Sequence, residues 1–128
     1  MVNCTDFPLE NAIRKEIEES DEELTREDFF IATKLWNTYH SKEMVNDGIY
    51  NTLRNLSLNY LDILYIHWPV GFKETIIQDP FPKDNTGNLL FSDVHYLETY
   101  RAIEDHVETG AINSIGLCNF SIVSKKFV

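Results

Sequence analysis

Apolar residues along the chain recur at two spacings that take turns. Leu9, Ala12, Ile13 and Ile17 fall three or four residues apart between Asp6 and Glu19, which predicts an amphipathic helix with Pro8 tolerated in its first turn. An acidic stretch ends it. Phe29-Phe30-Ile31-Ala32-Thr33-Lys34 follows, a short aromatic and β-branched run that reads as a strand finishing on a charge. Val45, Ile49, Leu53 and Leu56 then lie on one face of a second helix, with Ser41 as its cap. Gly48 inside that helix costs about 1 kcal/mol relative to alanine. Leu61 to Trp68 is an apolar run too short for an independent helix and is closed by Pro69, so it reads as a buried strand. It delivers His67 and Trp68 to its last positions.

The segment from Pro69 to Ser92 carries Pro80, Pro82 and Gly87 and reads as a long loop, of the kind that is functional or partly disordered. Val94, Leu97, Tyr100, Ile103 and Val107 form a third helical face, with Gly110 just past its end. Ala111 to Phe120 reads as a third strand with polar residues at its exit, and Ser121 opens a further helical pattern that reaches Val128. Strands alternating with helices, each crossover long enough for a right-handed βαβ unit, predict an α/β fold with a parallel sheet. No GxGxxG follows a strand, so a dinucleotide-binding doubly wound sheet has little support. Lys34, His67 and the pair Cys118 and Asn119 stand at strand carboxyl ends, where a (β/α)8 barrel meets its ligands.

Composition narrows the function classes. With 128 residues and 43% hydrophobic content the chain is one globular domain, and a net charge of -10 with only 11 Lys and Arg argues against a nucleic-acid surface. Much of the acidity sits between Glu16 and Asp28, faced only by Arg26, and reads as a solvated helix end and loop rather than a metal site. Cys4 and Cys118 form no CxxC and are expected to be free thiols in a reducing compartment. The start of the chain has no basic segment followed by an apolar core, and no run approaches membrane-spanning length. The expectation is a cytoplasmic protein with no membrane partner. Asn-x-Ser/Thr triplets at Asn3, Asn55 and Asn119 are then accidental.

Three stretches in order, each at a strand exit, resemble the aldo-keto reductase family: Ile31-Ala32-Thr33-Lys34-Leu35-Trp36, Ile66-His67-Trp68-Pro69, and Gly110 through Phe120. Asn11 to Arg14, Leu56 to Asp62 and Tyr100 to Glu104 also look like family helix and strand starts. The resemblance runs over nearly the whole chain. It implies an α/β fold that is part of a (β/α)8 TIM barrel, with about three parallel strands and their intervening helices in residues 1–128, an incomplete barrel domain lacking its N- and C-terminal parts.

What the family does gives these residue types their roles. It reduces aldehydes and ketones with NADPH: hydride reaches the carbonyl carbon while a tyrosine protonates the developing alkoxide. By resemblance Lys34 lowers the pKa of that tyrosine, and His67 donates to or orients the carbonyl oxygen as charge builds there. Cys118 and Asn119 hold the nicotinamide carboxamide, Cys118 standing where the family commonly has serine and offering a weaker donor. Trp36 and Trp68, with His67, wall the substrate pocket. No metal is implied. Taken singly, these residues read as a solvated strand end, a satisfied core imidazole and packing. Asn113 stands where the family has a longer polar residue.

The family's proton-donor tyrosine and its partner aspartate precede the region matched here, and none of Tyr39, Tyr50, Tyr60, Tyr65, Tyr96 or Tyr100 stands in a matching position. Tyr65 shares a strand face with His67 but is expected to point deeper into the barrel as packing. Two functions follow. The first is an NADPH-dependent oxidoreductase of small carbonyl substrates, monomeric at full length, of which this chain carries part of the site and is inactive alone. The alternative is a truncated, non-catalytic product that acts through pairing of its open sheet edges.

Overall fold

Three helices alternate with three strands: α1 (Asp6–Glu19), β1 (Ala32–Leu35), α2 (Lys42–Leu56), β2 (Ile63–Ile66), α3 (Tyr96–Glu108) and β3 (Ile115–Leu117), with a short 3-10 helix at Arg26–Asp28. The structure is a computed structural model that describes residues 6–20, 24–75 and 78–121. Cys4, Asp21 to Glu23 of the acidic stretch and the helical pattern beyond Ser121 lie outside the described residues. The strands form one parallel sheet in the order β1-β2-β3. Ala32 pairs with Ile63 and Leu35 with Ile66; Leu64 pairs with Ile115 and Ile66 with Leu117. β1 and β3 are therefore its outer strands.

The helices end where their caps dictate. Ser41 Oγ accepts from the Met44 N–H at 3.4 Å. His95 Nδ1 accepts from the Leu97 N–H while Glu98 Oε1 accepts from the His95 N–H, so α3 starts at Tyr96 and Val94 lies before it. Gly48 has a positional reason: a Cβ there would lie 2.9 Å from Leu35 Cδ1 and 3.0 Å from Tyr39 Cδ1, so its lack of a side chain lets α2 close on β1. One sheet face, through Leu35, Leu64 and Ile66, packs with Val45 and Ile49 of α2 and Ile103 of α3 into the buried core.

The strands are shorter than their apolar runs. β1 starts at Ala32 rather than Phe29, because the Ile31 N–H is taken by Asp62 Oδ2 at 2.8 Å, and Phe29 caps the preceding 3-10 turn. Phe30 stays exposed. At the same place Arg26 Nη2 donates to Asp62 Oδ2 and to the Tyr60 carbonyl, while Nη1 donates to the Phe29 carbonyl. The guanidinium also lies over the Tyr60 ring at 4.0 Å. This cluster ties the amino ends of β1 and β2 together. The ladder of β2 stops at Ile66 and that of β3 at Leu117, which leaves His67, Trp68, Cys118 and Asn119 just beyond it.

His40, after β1, is 1% exposed, and neither ring nitrogen has a hydrogen-bond partner among the described residues. Its carbonyl accepts from Thr99 Oγ1, and Gly71 sits against its ring. Burial pushes its pKa from 6.5 down to about 4. The unfolded chain takes up a proton that the native state refuses as pH falls below 6.5, so stability is complete at neutral pH and declines toward pH 4. The expected loss is about 2 kcal/mol by pH 5. Urea unfolding at both pH values should show it, and His40→Phe should shrink the difference.

Candidate active site

The register determines which side chains share the second sheet face. Lys34 pairs with Tyr65 and Tyr65 with Gly116, so these three form one row across β1, β2 and β3. Two residues further on, by the strand period, stand Trp36, His67 and Cys118. This face is turned away from the helices, and all its residues are half-buried or exposed. The parallel sheet thus brings the charge of Lys34 and the ring of His67 to the same end of the fold.

Tyr65 lies across Gly116 as packing, in line with its expected role. A Cβ on Gly116 would come within 2.3 Å of two ring carbons of Tyr65, so the glycine makes room for the ring. Gly116→Ala is expected to displace that ring and to destabilise the fold by about 1–3 kcal/mol. In the Gly116→Ala/Tyr65→Ala double variant the losses should sum to less than the two single ones, read as non-additivity in urea unfolding.

At the next level the exits of the three strands meet an aromatic wall. The Trp36 and His67 rings are 5.1 Å apart and edge to face, and the Trp68 ring lies 6.2 Å from His67. The loop from Pro69 to Ser92 folds back on itself through antiparallel bridges Phe72–Phe91 and Lys83–Leu89. It is hung on the β1 exit by the Trp36 indole N–H, which donates to the Pro80 carbonyl at 2.9 Å, and by the Phe72 N–H, which donates to the Asn37 carbonyl at 2.7 Å. These bonds bring Phe81 and Phe72 edge-on to Trp36 at 5.2 and 6.2 Å. Sequence reasoning missed both phenylalanines; the only signal was aromatics beside Gly71 and between Pro80 and Pro82.

A cleft of about 540 Å³ is lined by Lys34, Trp36, His67, Pro80 and Phe81 and continues along the outer edge of β1 past Asn51 and Asn55. Trp68, Cys118 and Asn119 do not line it. Trp68 is 44% exposed. Cys118 is a free thiol. Asn119 joins the site through the backbone, its Nδ2 donating to the His67 carbonyl at 2.7 Å and to Cys118 Sγ at 3.3 Å. Burial, and then the positive charge of Lys34, hold the His67 ring below the usual histidine range. At neutral pH the ring is therefore neutral, with one N–H to donate. Among the described residues, no group of three or more His, Cys, Asp or Glu could hold a metal ion, and no helix is long and apolar enough to cross a membrane.

A family model described as the aldo/keto reductase family matches residues 7–125. The chain belongs to that family. The aldo-keto reductase family 1 member A1 of Rattus norvegicus is 42% identical over 96 residues, which are 75% of this chain and 29% of that protein. An uncharacterized oxidoreductase of Schizosaccharomyces pombe is 44% identical over 96 residues, again 75% of this chain and 29% of the relative. The aldose reductase structure from Schistosoma japonicum superposes with a TM-score of 0.89 at 37% identity, covering 96% of this chain and 40% of that one. This aldo/keto reductase chain thus spans about 29% of the length of the curated relatives it matches. Its three parallel strands and helices are part of a (β/α)8 barrel.

Proposed function

We propose that this chain carries part of the active site of an NADPH-dependent oxidoreductase that reduces aldehydes and ketones to alcohols. The observation behind this is the placing of the Lys34 charge and the neutral His67 ring on one sheet face, in one cleft walled by Trp36 and Phe81. Flat aromatic surfaces suit apolar or aromatic carbonyl compounds. His67 donates its N–H to the substrate oxygen and stabilises the negative charge that develops there without itself becoming charged. Lys34 stabilises the phenolate left when a tyrosine gives up its proton to that oxygen; the tyrosine comes from a segment outside this chain.

Both Nδ2 protons of Asn119 have partners, which leaves Oδ1 as an acceptor, and this acceptor fits the amide N–H of a nicotinamide carboxamide. When bound, NADPH supplies the hydride. Cys118 and Asn119 orient it, and Trp68, beside the His67 ring, offers a further aromatic surface to the substrate. The full-length protein should consume NADPH in the presence of an aromatic aldehyde. A folded full-length protein that consumes none with a series of aldehydes and ketones overturns the proposal.

The alternative, a non-catalytic product pairing through its sheet edges, has the outer positions of β1 and β3 in its favour. It requires the 128-residue chain to form a defined complex in size-exclusion chromatography, and polydisperse aggregation counts against it.

A further inference from the structure

The exits of β2 and β3 are joined by a contact outside the sheet ladder. The last backbone bond between them runs from the Cys118 N–H to the Ile66 carbonyl at 3.0 Å. One residue further, Asn119 turns into the left-handed region at φ 61°. Its side chain then reaches the neighbouring strand exit, where Nδ2 donates to the His67 carbonyl at 2.7 Å. On the other side the His67 N–H donates to the Leu35 carbonyl at 3.3 Å. The backbone of His67 is thus held from β1 through its own N–H and from the β3 exit through the Asn119 amide.

Resting on the reductase reading above, we propose that Asn119 is a positioning residue for His67, its amide clamping the backbone from which the imidazole meets the substrate oxygen. Asparagine satisfies two demands that few residues meet together. It tolerates the left-handed turn, and it carries a donor close enough to the backbone to bridge adjacent strands. The short distance to a carbonyl oxygen also determines which end of the amide faces His67, since only the nitrogen can donate. The second Nδ2 proton goes to Cys118 Sγ at 3.3 Å, a weak acceptor that steadies the amide plane without competing for the bond to His67. One side chain thereby links the residue that faces the carbonyl to the acceptor offered to the cofactor.

Glycine at this position keeps the left-handed turn and loses the donor, so Asn119→Gly separates the clamp from the turn. The test is NMR titration of the His67 ring in the cofactor-free, full-length protein, wild type against Asn119→Gly. The ring is expected to move toward the ordinary histidine pKa in the variant as it gains water, and kcat is expected to fall about tenfold or more. Asn119 side-chain N–H exchange in the wild type is an independent measure, and slow exchange is expected. An unchanged His67 titration with only the KM for NADPH raised, or fast exchange of the Asn119 amide, overturns the proposal. The titration and the exchange need neither cofactor nor turnover. They can therefore fail while the reductase reading stands, and succeed in a protein that reduces no carbonyl.

Discussion

Lys34→Met in the full-length protein is expected to lower kcat for carbonyl reduction by about two to four orders of magnitude, the range typical of losing an acid–base component. The unfolding midpoint of the 128-residue chain should be unchanged by the same substitution. Lys34 is exposed on the sheet face turned away from the core, and no described residue forms an ion pair with it, so methionine keeps the stem and removes only the charge. That charge also contributes to keeping the His67 pKa down. In the variant the His67 ring should titrate higher, while still below the ordinary range because burial, the larger cause, remains. Turnover measured at several pH values, together with ring titration, checks both statements. Unchanged kcat would remove Lys34 from the chemistry.

Asp62→Ala should cost about 2 kcal/mol of stability, because the ion pair it breaks is partly buried and lies between the small cost of losing an exposed pair and the larger cost of breaking a buried one. The side chains of Arg26 and Asp62 are 18% and 16% exposed and lie 2.9 Å apart. Removing the carboxylate leaves the partly buried guanidinium with only carbonyl partners and also frees the Ile31 N–H just before β1. Asp62→Asn retains an acceptor for that N–H and should cost about half as much. Burial works against ionisation of Asp62, but the bonds from Ile31 and Arg26 prevail and keep its pKa below the usual carboxylate value. Its contribution is therefore present above the ordinary carboxylate pKa and is lost as pH falls below it. Urea unfolding of the three proteins at neutral and acid pH measures both effects. Equal stability of Asp62→Ala and wild type would show that the cluster follows the fold rather than holding it.

Much of the architecture was readable from local pattern. The α1 boundaries, the Ser41 cap and the glycine after α3 all depend on residues near one another in sequence, and periodicity reports such interactions directly, while the parallel direction of the strands follows from their alternation with helices. Strand ends were less readable. The run from Phe29 is as strand-like as the residues after it, and only the carboxylate of Asp62, 31 positions away from Ile31, takes the first N–H out of the ladder.

The candidate site divides in the same way. The residue types at the strand exits, Lys34, His67, Cys118 and Asn119, and their resemblance to aldo/keto reductase motifs were present in the linear chain. That Lys34, Trp36 and His67 meet on one face follows from register, which pairs residues 31 positions apart. The depressed pKa of His67, the Asn119 bond to the His67 carbonyl and the recruitment of Phe72 and Phe81 by a folded-back loop arise from contacts between distant residues, 36 positions apart for Trp36 and Phe72, 45 for Trp36 and Phe81 and 52 for Asn119 and His67. Periodicity records which face of an element is buried; it does not record the partner that face or loop will meet, because that choice is made by the packed sheet as a whole.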